Sequence, residues 1–305
     1  MARTLLLGSP ETTWRGWLKE FRGDRDLLIL DPADPDHGHL ARFVLLRKDK
    51  VVSTRFYGSL DPSRAPHLIV AAISQLLPLA GDDVLIQLFP MQGGPLLRHT
   101  ILLISQLIQP EDILVPNPCP FDLEGFPVGP NEVELDESFP EAVRSAQRKA
   151  NWLKLLERCE VHEVSMPRVS IEGARLGSGR VIKPDQLAKA GIENTLHAEV
   201  AGGTLFLISE EDPPEHALTR ALDVFHCGRA HVVPPGSYNG LLCSFARQSG
   251  EDFGTGVIQS IDFESKVVHV LSDAVPPAPV RILKIGGMRV DVAGREMGEA
   301  RPWQV

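Results

Sequence analysis

Gly8, Ser9, Thr12, Thr13 and Arg15 stand close together just after the apolar run Leu5-Leu6-Leu7. A strand, a glycine turn and a helix in that order frame a phosphate-binding loop, in which backbone N–H groups and a helix N-terminus surround an anion. The chemistry of such a loop is handling of a nucleotide's phosphates. Read from Gly8, the pattern G-x-x-x-x-G-K-[ST] needs Gly, Lys and Ser or Thr where the chain has Thr13, Trp14 and Arg15. The lysine that pairs with the phosphates is absent, and so is the hydroxyl that holds magnesium. An indole offers one N–H and no charge. Thr12 or Thr13 would reach a metal only from a loop of shifted geometry. Taken alone, the stretch fits both a relic phosphate loop and an ordinary strand end.

Two further groups of residues carry chemistry. Asp31 ends the run Asp26-Leu27-Leu28-Ile29-Leu30 and precedes Pro32-Ala33-Asp34-Pro35-Asp36. The run reads as a buried parallel strand, which puts Asp31 and Asp34 at a C-terminal sheet edge, where ligands sit in open α/β sheets. Ordinary turn chemistry also accounts for both acids. Arg144 and Arg148 are four apart and share a helix face, either as a phosphate clamp or as a solvated surface. His37 and His39 beside Asp34 and Asp36 read as a solvated turn rather than a metal cluster.

The elements that must position these residues follow from periodicity. A chain of 305 residues with 43% hydrophobic and 23% charged content suits two packed domains. Apolar runs at 26–31, 83–89 and 113–116 read as buried strands, 41–46 and 50–56 as a hairpin across Arg47-Lys48-Asp49, and 64–79 and 96–108 as helices. The alternation predicts a doubly wound, mostly parallel α/β sheet. Residues 117–136, rich in Pro, Gly and acids, read as a loop or lid. A basic helix spans 140–158. The predicted domains are 1–159 and 160–305, the second helix-poor and mainly antiparallel β, with 198–209 as one strand.

Net charge is −9, which argues against a protein that coats nucleic acid generally. The four cysteines are scattered without a C-x-x-C pair, and no signal-peptide pattern or membrane-length apolar run is present, so a cytoplasmic setting is expected.

The ordered motifs resemble the RNA-processing type of polynucleotide 5′-hydroxyl kinases, the family of the mRNA cleavage-factor kinase subunit and the pre-rRNA-processing kinase. Leu5 to Gly8 lies where that family has its nucleotide loop. Leu30-Asp31-Pro32-Ala33-Asp34-Pro35 resembles its Asp-Pro-Gly-Gln-Pro turn, with Ala and Asp in place of Gly and Gln. Arg55-Phe56-Tyr57-Gly58-Ser59-Leu60-Asp61-Pro62 matches its Arg-Phe-x-Gly-Ser-x-x-Pro segment. Leu85 to Gly94 lies where the family has a strand and glycine loop, and Arg175 to Arg180 resembles the turn after its clamp helix.

The resemblance implies a P-loop-NTPase-like fold, ATP and Mg2+ as cofactors, and RNA or DNA 5′ ends or a protein as partners. It places Gly8, Ser9, Thr12, Thr13 and Arg15 at the nucleotide. Asp31 becomes the base for the 5′-hydroxyl, and Arg144 and Arg148 the charges that meet the transferring phosphoryl group. Asp34, Arg55, Gly93 and Gly94 fall on the substrate side. Three readings stay open: a degenerate kinase kept as a nucleic-acid or protein-binding module, an active kinase with an unusual loop, and a scaffold without ligand.

Overall fold

The computed structural model describes residues 2–91, 95–273 and 280–300, without the side chains of 95–97. The chain divides into two compact units, Met1–Trp152 and Leu153–Val305.

In the first unit the strands are β1 (Ala2–Leu6), β2 (Thr12–Thr13), β3 (Asp26–Leu30), β4 (Arg42–Arg47), β5 (Lys50–Phe56), β6 (Asp83–Leu88), β7 (Asp112–Pro116), β8 (Pro130–Val133) and β9 (Asp136–Glu137). Its helices are α1 (Arg15–Phe21), α2 (Pro66–Leu76) and α3 (Pro95–Ile108), and the unit boundary falls inside α4 (Glu141–Leu156). One sheet runs β5-β4-β3-β6-β1-β7-β8. From β3 to β8 every pairing is parallel; β4 and β5 add an antiparallel edge.

The apolar runs form the centre because both sheet faces are covered. Leu5, Leu28, Ile86 and Ile113 face Ile69, Ile73, Ile101 and Ile104 of α2 and α3. Leu6, Leu27, Ile29 and Leu85 pack with Trp14, the residue just before α1, and with Leu18 in its middle. Each fully buried side chain of this size contributes about 1.5–3 kcal/mol by leaving water. The hairpin turns at Lys48 and Asp49, whose positive φ values of 47° and 60° match a two-residue turn that follows strand twist.

The second unit holds β10 (Glu160–Ser165), β11 (Ser170–Glu172), β12 (Arg180–Val181), α5 (Pro184–Lys189), β13 (Thr195–Ala201), β14 (Thr204–Ser209), α6 (Glu215–Phe225), β15 (Arg229–Val233), β16 (Leu241–Ala246), β17 (Asp252–Asp262), β18 (Val267–Ser272), β19 (Ile282–Val290) and β20 (Glu296–Glu299). One sheet runs β10-β18-β17-β16-β19-β11, with β20 on β19; a smaller one runs β12-β13-β14-β15. Most pairings are antiparallel; β11–β19 and β14–β15 are parallel.

Two local expectations change. Residues 198–209 are not one strand: Gly202 and Gly203, at φ +53° and +70°, fold them into the β13–β14 hairpin. Within 117–136, read as a loop, β8 extends the sheet parallel to β7, because backbone pairing at an edge does not need an alternating side-chain pattern. Among the described residues no helix is long and apolar enough to cross a membrane.

Candidate functional site

A cleft of about 560 Å3 opens past the carboxyl ends of β1, β3 and β6 and is lined by Gly8, Ser9, Thr12, Thr13, Trp14, Asp31, Asp34, Gln87 and Arg144, among others. That is the edge at which open α/β sheets bind ligands.

The loop after β1 is closed upon itself. Ser9 N–H donates to Thr12 Oγ1 at 3.0 Å, Glu11 N–H to Ser9 Oγ at 3.3 Å and Thr12 N–H to the Ser9 carbonyl at 3.2 Å. Pro10 has no N–H to offer, and Arg15 N–H donates to Thr13 Oγ1 at 3.3 Å. Thr12 and Thr13 pair antiparallel with Glu137 and Asp136, and Ser138 N–H reaches the Glu11 carbonyl at 2.7 Å. Trp14 turns inward. Its side chain is 4% exposed, packs in the cluster with Leu6, Leu18 and Leu85, and meets Trp17 edge to face at 5.6 Å. The indole lies over Gly8: a Cβ there would stand 3.0 Å from Trp14 Nε1. The Asp136 carboxylate rests against the backbone of Gly16 in the first turn of α1.

The acids gather at the end of β3. Asp31 is 9% exposed and accepts from Ala33 N–H at 3.0 Å. Burial, then the charge of Asp34, pushes its carboxyl up to about 7, against the pull of the Ala33 amide, Arg144 and Arg148. Asp34 Oδ2 accepts from Gln87 Nε2 at 2.8 Å, and His37 stands 4.0 Å away. Burial and Asp34 also raise the Asp36 carboxyl. Burial lowers His39 to about 4.

α4 brings the arginines to this loop, and Asn151 Nδ2 ties the helix to the Pro35 carbonyl at 2.7 Å. Both are held by one carboxylate. Arg144 lies 3.0 Å and Arg148 2.8 Å from the oxygens of Glu141, whose own carboxyl is pulled below its usual range, mainly by the Arg148 hydrogen bond. Glu141 is three before Arg144 and seven before Arg148, a spacing visible in the sequence but given no role there. Nothing in the sequence alone marks Gln87 for the cleft.

The remaining expected residues scatter. Arg15 is mostly exposed, sits 3.7 Å from Asp36 and lines a neighbouring hollow of about 480 Å3. Arg55 is absent from the cleft lining: it donates to Gln75 Oε1 and the Thr54 carbonyl. Gly93 and Gly94 lie outside the described residues. Among the described residues no group of three His, Cys, Asp or Glu is placed to hold a metal.

The mixed α/β fold of this chain has counterparts among solved structures. A structure of the wild-type Clp1p–Pcf11p complex matches with TM-score 0.51 at 11% identity, over 94% of this chain and 74% of that one. A structure concerned with the extended Pcf11p–Clp1p interface and with ATP loss in a point mutant gives 0.52 at 12% identity and the same coverage. The fold is therefore Clp1-like. In sequence, the chain is 23% identical over 273 residues to a polyribonucleotide 5′-hydroxyl-kinase of Pyrococcus furiosus, covering 84% of this chain and 74% of that protein. It is 22% identical over 171 residues to a second, from Methanocaldococcus jannaschii, covering 54% of this chain and 45% of the other. No protein-family model matches. The chain is thus similar in sequence to two polyribonucleotide 5′-hydroxyl kinases and in fold to Clp1p.

Proposed function

We propose that this chain is a kinase-like protein whose triphosphate loop has degenerated and which serves RNA processing as a binding module. In this reading 1–159 is a P-loop-NTPase-like domain with α4 as its clamp helix, and 160–305 is the C-terminal domain. The observation that carries it is the loop from Gly8 to Arg15. ATP bound with Mg2+ needs free amides, a lysine and a metal-holding hydroxyl, since charge on the β- and γ-oxygens must be offset. Here the Ser9, Glu11, Thr12 and Arg15 amides are engaged within the loop and Trp14 fills the space above Gly8. These residues do not fit a triphosphate. The Glu141 carboxylate also neutralises the two arginines a transferring phosphoryl group would need. Four free, scattered cysteines agree with a reducing, cytoplasmic setting.

One observation favours an active enzyme. A carboxyl near 7 at the end of β3, within the field of Arg144, suits a general base at neutral pH. Thermal unfolding with ATP and Mg2+ separates the two. A ligand at about 100 times its Kd stabilises by about 2.7 kcal/mol, several degrees in Tm. No shift at millimolar ATP is expected, nor any transfer of γ-phosphate to a 5′-hydroxyl oligonucleotide. Transfer that disappears in Asp31→Asn would establish the kinase instead.

A further inference from the structure

The floor of the cleft is rich in hydrogen-bond acceptors. Asp31 is buried there, the side chain of half-buried Asp34 is 9% exposed, and Asp36 and Asp61 line the same space. Gln87 is 7% exposed; its Nε2 donates to Asp34, which leaves Oε1 buried without a partner among the described residues. Gln147 Oε1, also on the cleft, is in the same condition. An acceptor buried without a donor costs about 1–3 kcal/mol, so these oxygens favour a ligand that brings N–H groups.

The nearby cations do not answer this need. Arg144 contacts Glu141, while Arg15 reaches Asp36 only at 3.7 Å. A phosphate arriving here would meet carboxylates on the floor. A guanidinium, a planar group with five N–H donors, would find carboxylates and amide oxygens to accept them. Leu60, Pro62, Leu88 and Phe89 form apolar walls for an aliphatic stem. Two cleft donors, Trp14 Nε1 and Arg144 Nε, are also buried without partners among the described residues. Peptide carbonyls would satisfy them, and a free polyamine has none.

We propose that this cleft receives the guanidinium of an arginine carried on a peptide segment of a protein partner. The inference rests on the binding-module reading and names its partner class. It also carries a pH dependence. Asp31 is faced by Asp34 and the Ala33 amide from its own loop and by Arg144 and Arg148 from α4; its carboxyl stands near 7 and must lose its proton to pair with a guanidinium.

The test is calorimetric titration of the full chain with acetyl-Gly-Arg-Gly-amide. Its citrulline counterpart, spermidine, a 5′-hydroxyl oligoribonucleotide and ATP with Mg2+ are run in parallel. The arginine peptide is expected to bind at least about tenfold more tightly than the citrulline peptide, as for loss of a charged hydrogen-bonded pair. Its affinity rises about tenfold from pH 6 to pH 8 as Asp31 ionises. Asp34→Asn weakens it at least about tenfold while Tm stays nearly unchanged; if that variant folds poorly, Asp36→Asn should weaken it about threefold. Equal binding of the citrulline peptide, tighter binding of spermidine, binding of the oligoribonucleotide in place of the peptide, or silence of the peptide overturns the proposal. Heat from ATP with Mg2+ would sink the degenerate-loop reading by itself. Silence of the peptide with ATP also silent would sink only this inference.

Discussion

Alanine at position 14 lowers stability by about 3–5 kcal/mol, the range for truncating a buried aromatic side chain. The indole is 4% exposed and wedged among Leu6, Leu18, Ile29 and Leu85, with Trp17 edge-on at 5.6 Å. Removing it opens a cavity between α1 and the sheet that the short helix cannot close without moving the loop. The urea midpoint should fall with the slope unchanged. The same variant tests what blocks nucleotide. Trp14→Ala clears the space above Gly8 but leaves the loop amides engaged and supplies no lysine, so ATP with Mg2+ should still give no thermal shift. Stabilisation of this variant by ATP would mean that the indole alone had closed the site.

Glu199→Ala costs a similar amount, about 3–5 kcal/mol, through unpaired partners rather than a cavity. The Glu199 carboxylate, on β13, is 2% exposed and accepts from the amides of Gly177 and Gly179, each at 2.9 Å, and from His197 Nε2 at 2.6 Å. Gly179 is required for this approach: a Cβ there would come within 2.7 Å of the Val200 carbonyl. Burial raises the carboxyl, but His197 and the two amides more than offset it, so its pKa lies below the usual value of 4.5. A depressed carboxylate contributes stability that is fully present above its unfolded pKa and is lost as pH falls through the folded one. The wild-type Tm should therefore decline below about pH 4.5, with this part of the slope missing in Glu199→Ala. An identical acid slope in both proteins would refute the assignment.

Most of the first unit could be read from residue pattern. Continuous apolar runs such as Leu27 to Leu30 make sense only where both faces are covered, and the structure covers both. The strand before Asp31 pointed to a sheet edge for Asp31 and Asp34, but the place of Arg144 beside them followed only from the family resemblance, since arginines four apart fit a solvated helix face equally well. Short pairings were not. β2 with β9, and β8 along β7, join stretches without hydrophobic alternation, so their partner strands rather than their own side chains determine them. Nor could Arg55 be separated from the cleft in advance, since its hydrogen bond to Gln75 joins elements 20 residues apart.

What the amino-acid order settled by itself is the inventory: no lysine at 14, no hydroxyl at 15, carboxylates at 31 and 34, and apolar stretches long enough for a covered sheet. The tertiary structure decided the use of that inventory. It put the Trp14 indole into the core above Gly8, turned the loop amides onto Ser9, Thr12 and Thr13, and gave both arginines of α4 to Glu141. The physical reason is that burial and hydrogen-bond choice depend on which groups remain within about 3 Å once the chain has packed, and those groups come from distant stretches of sequence.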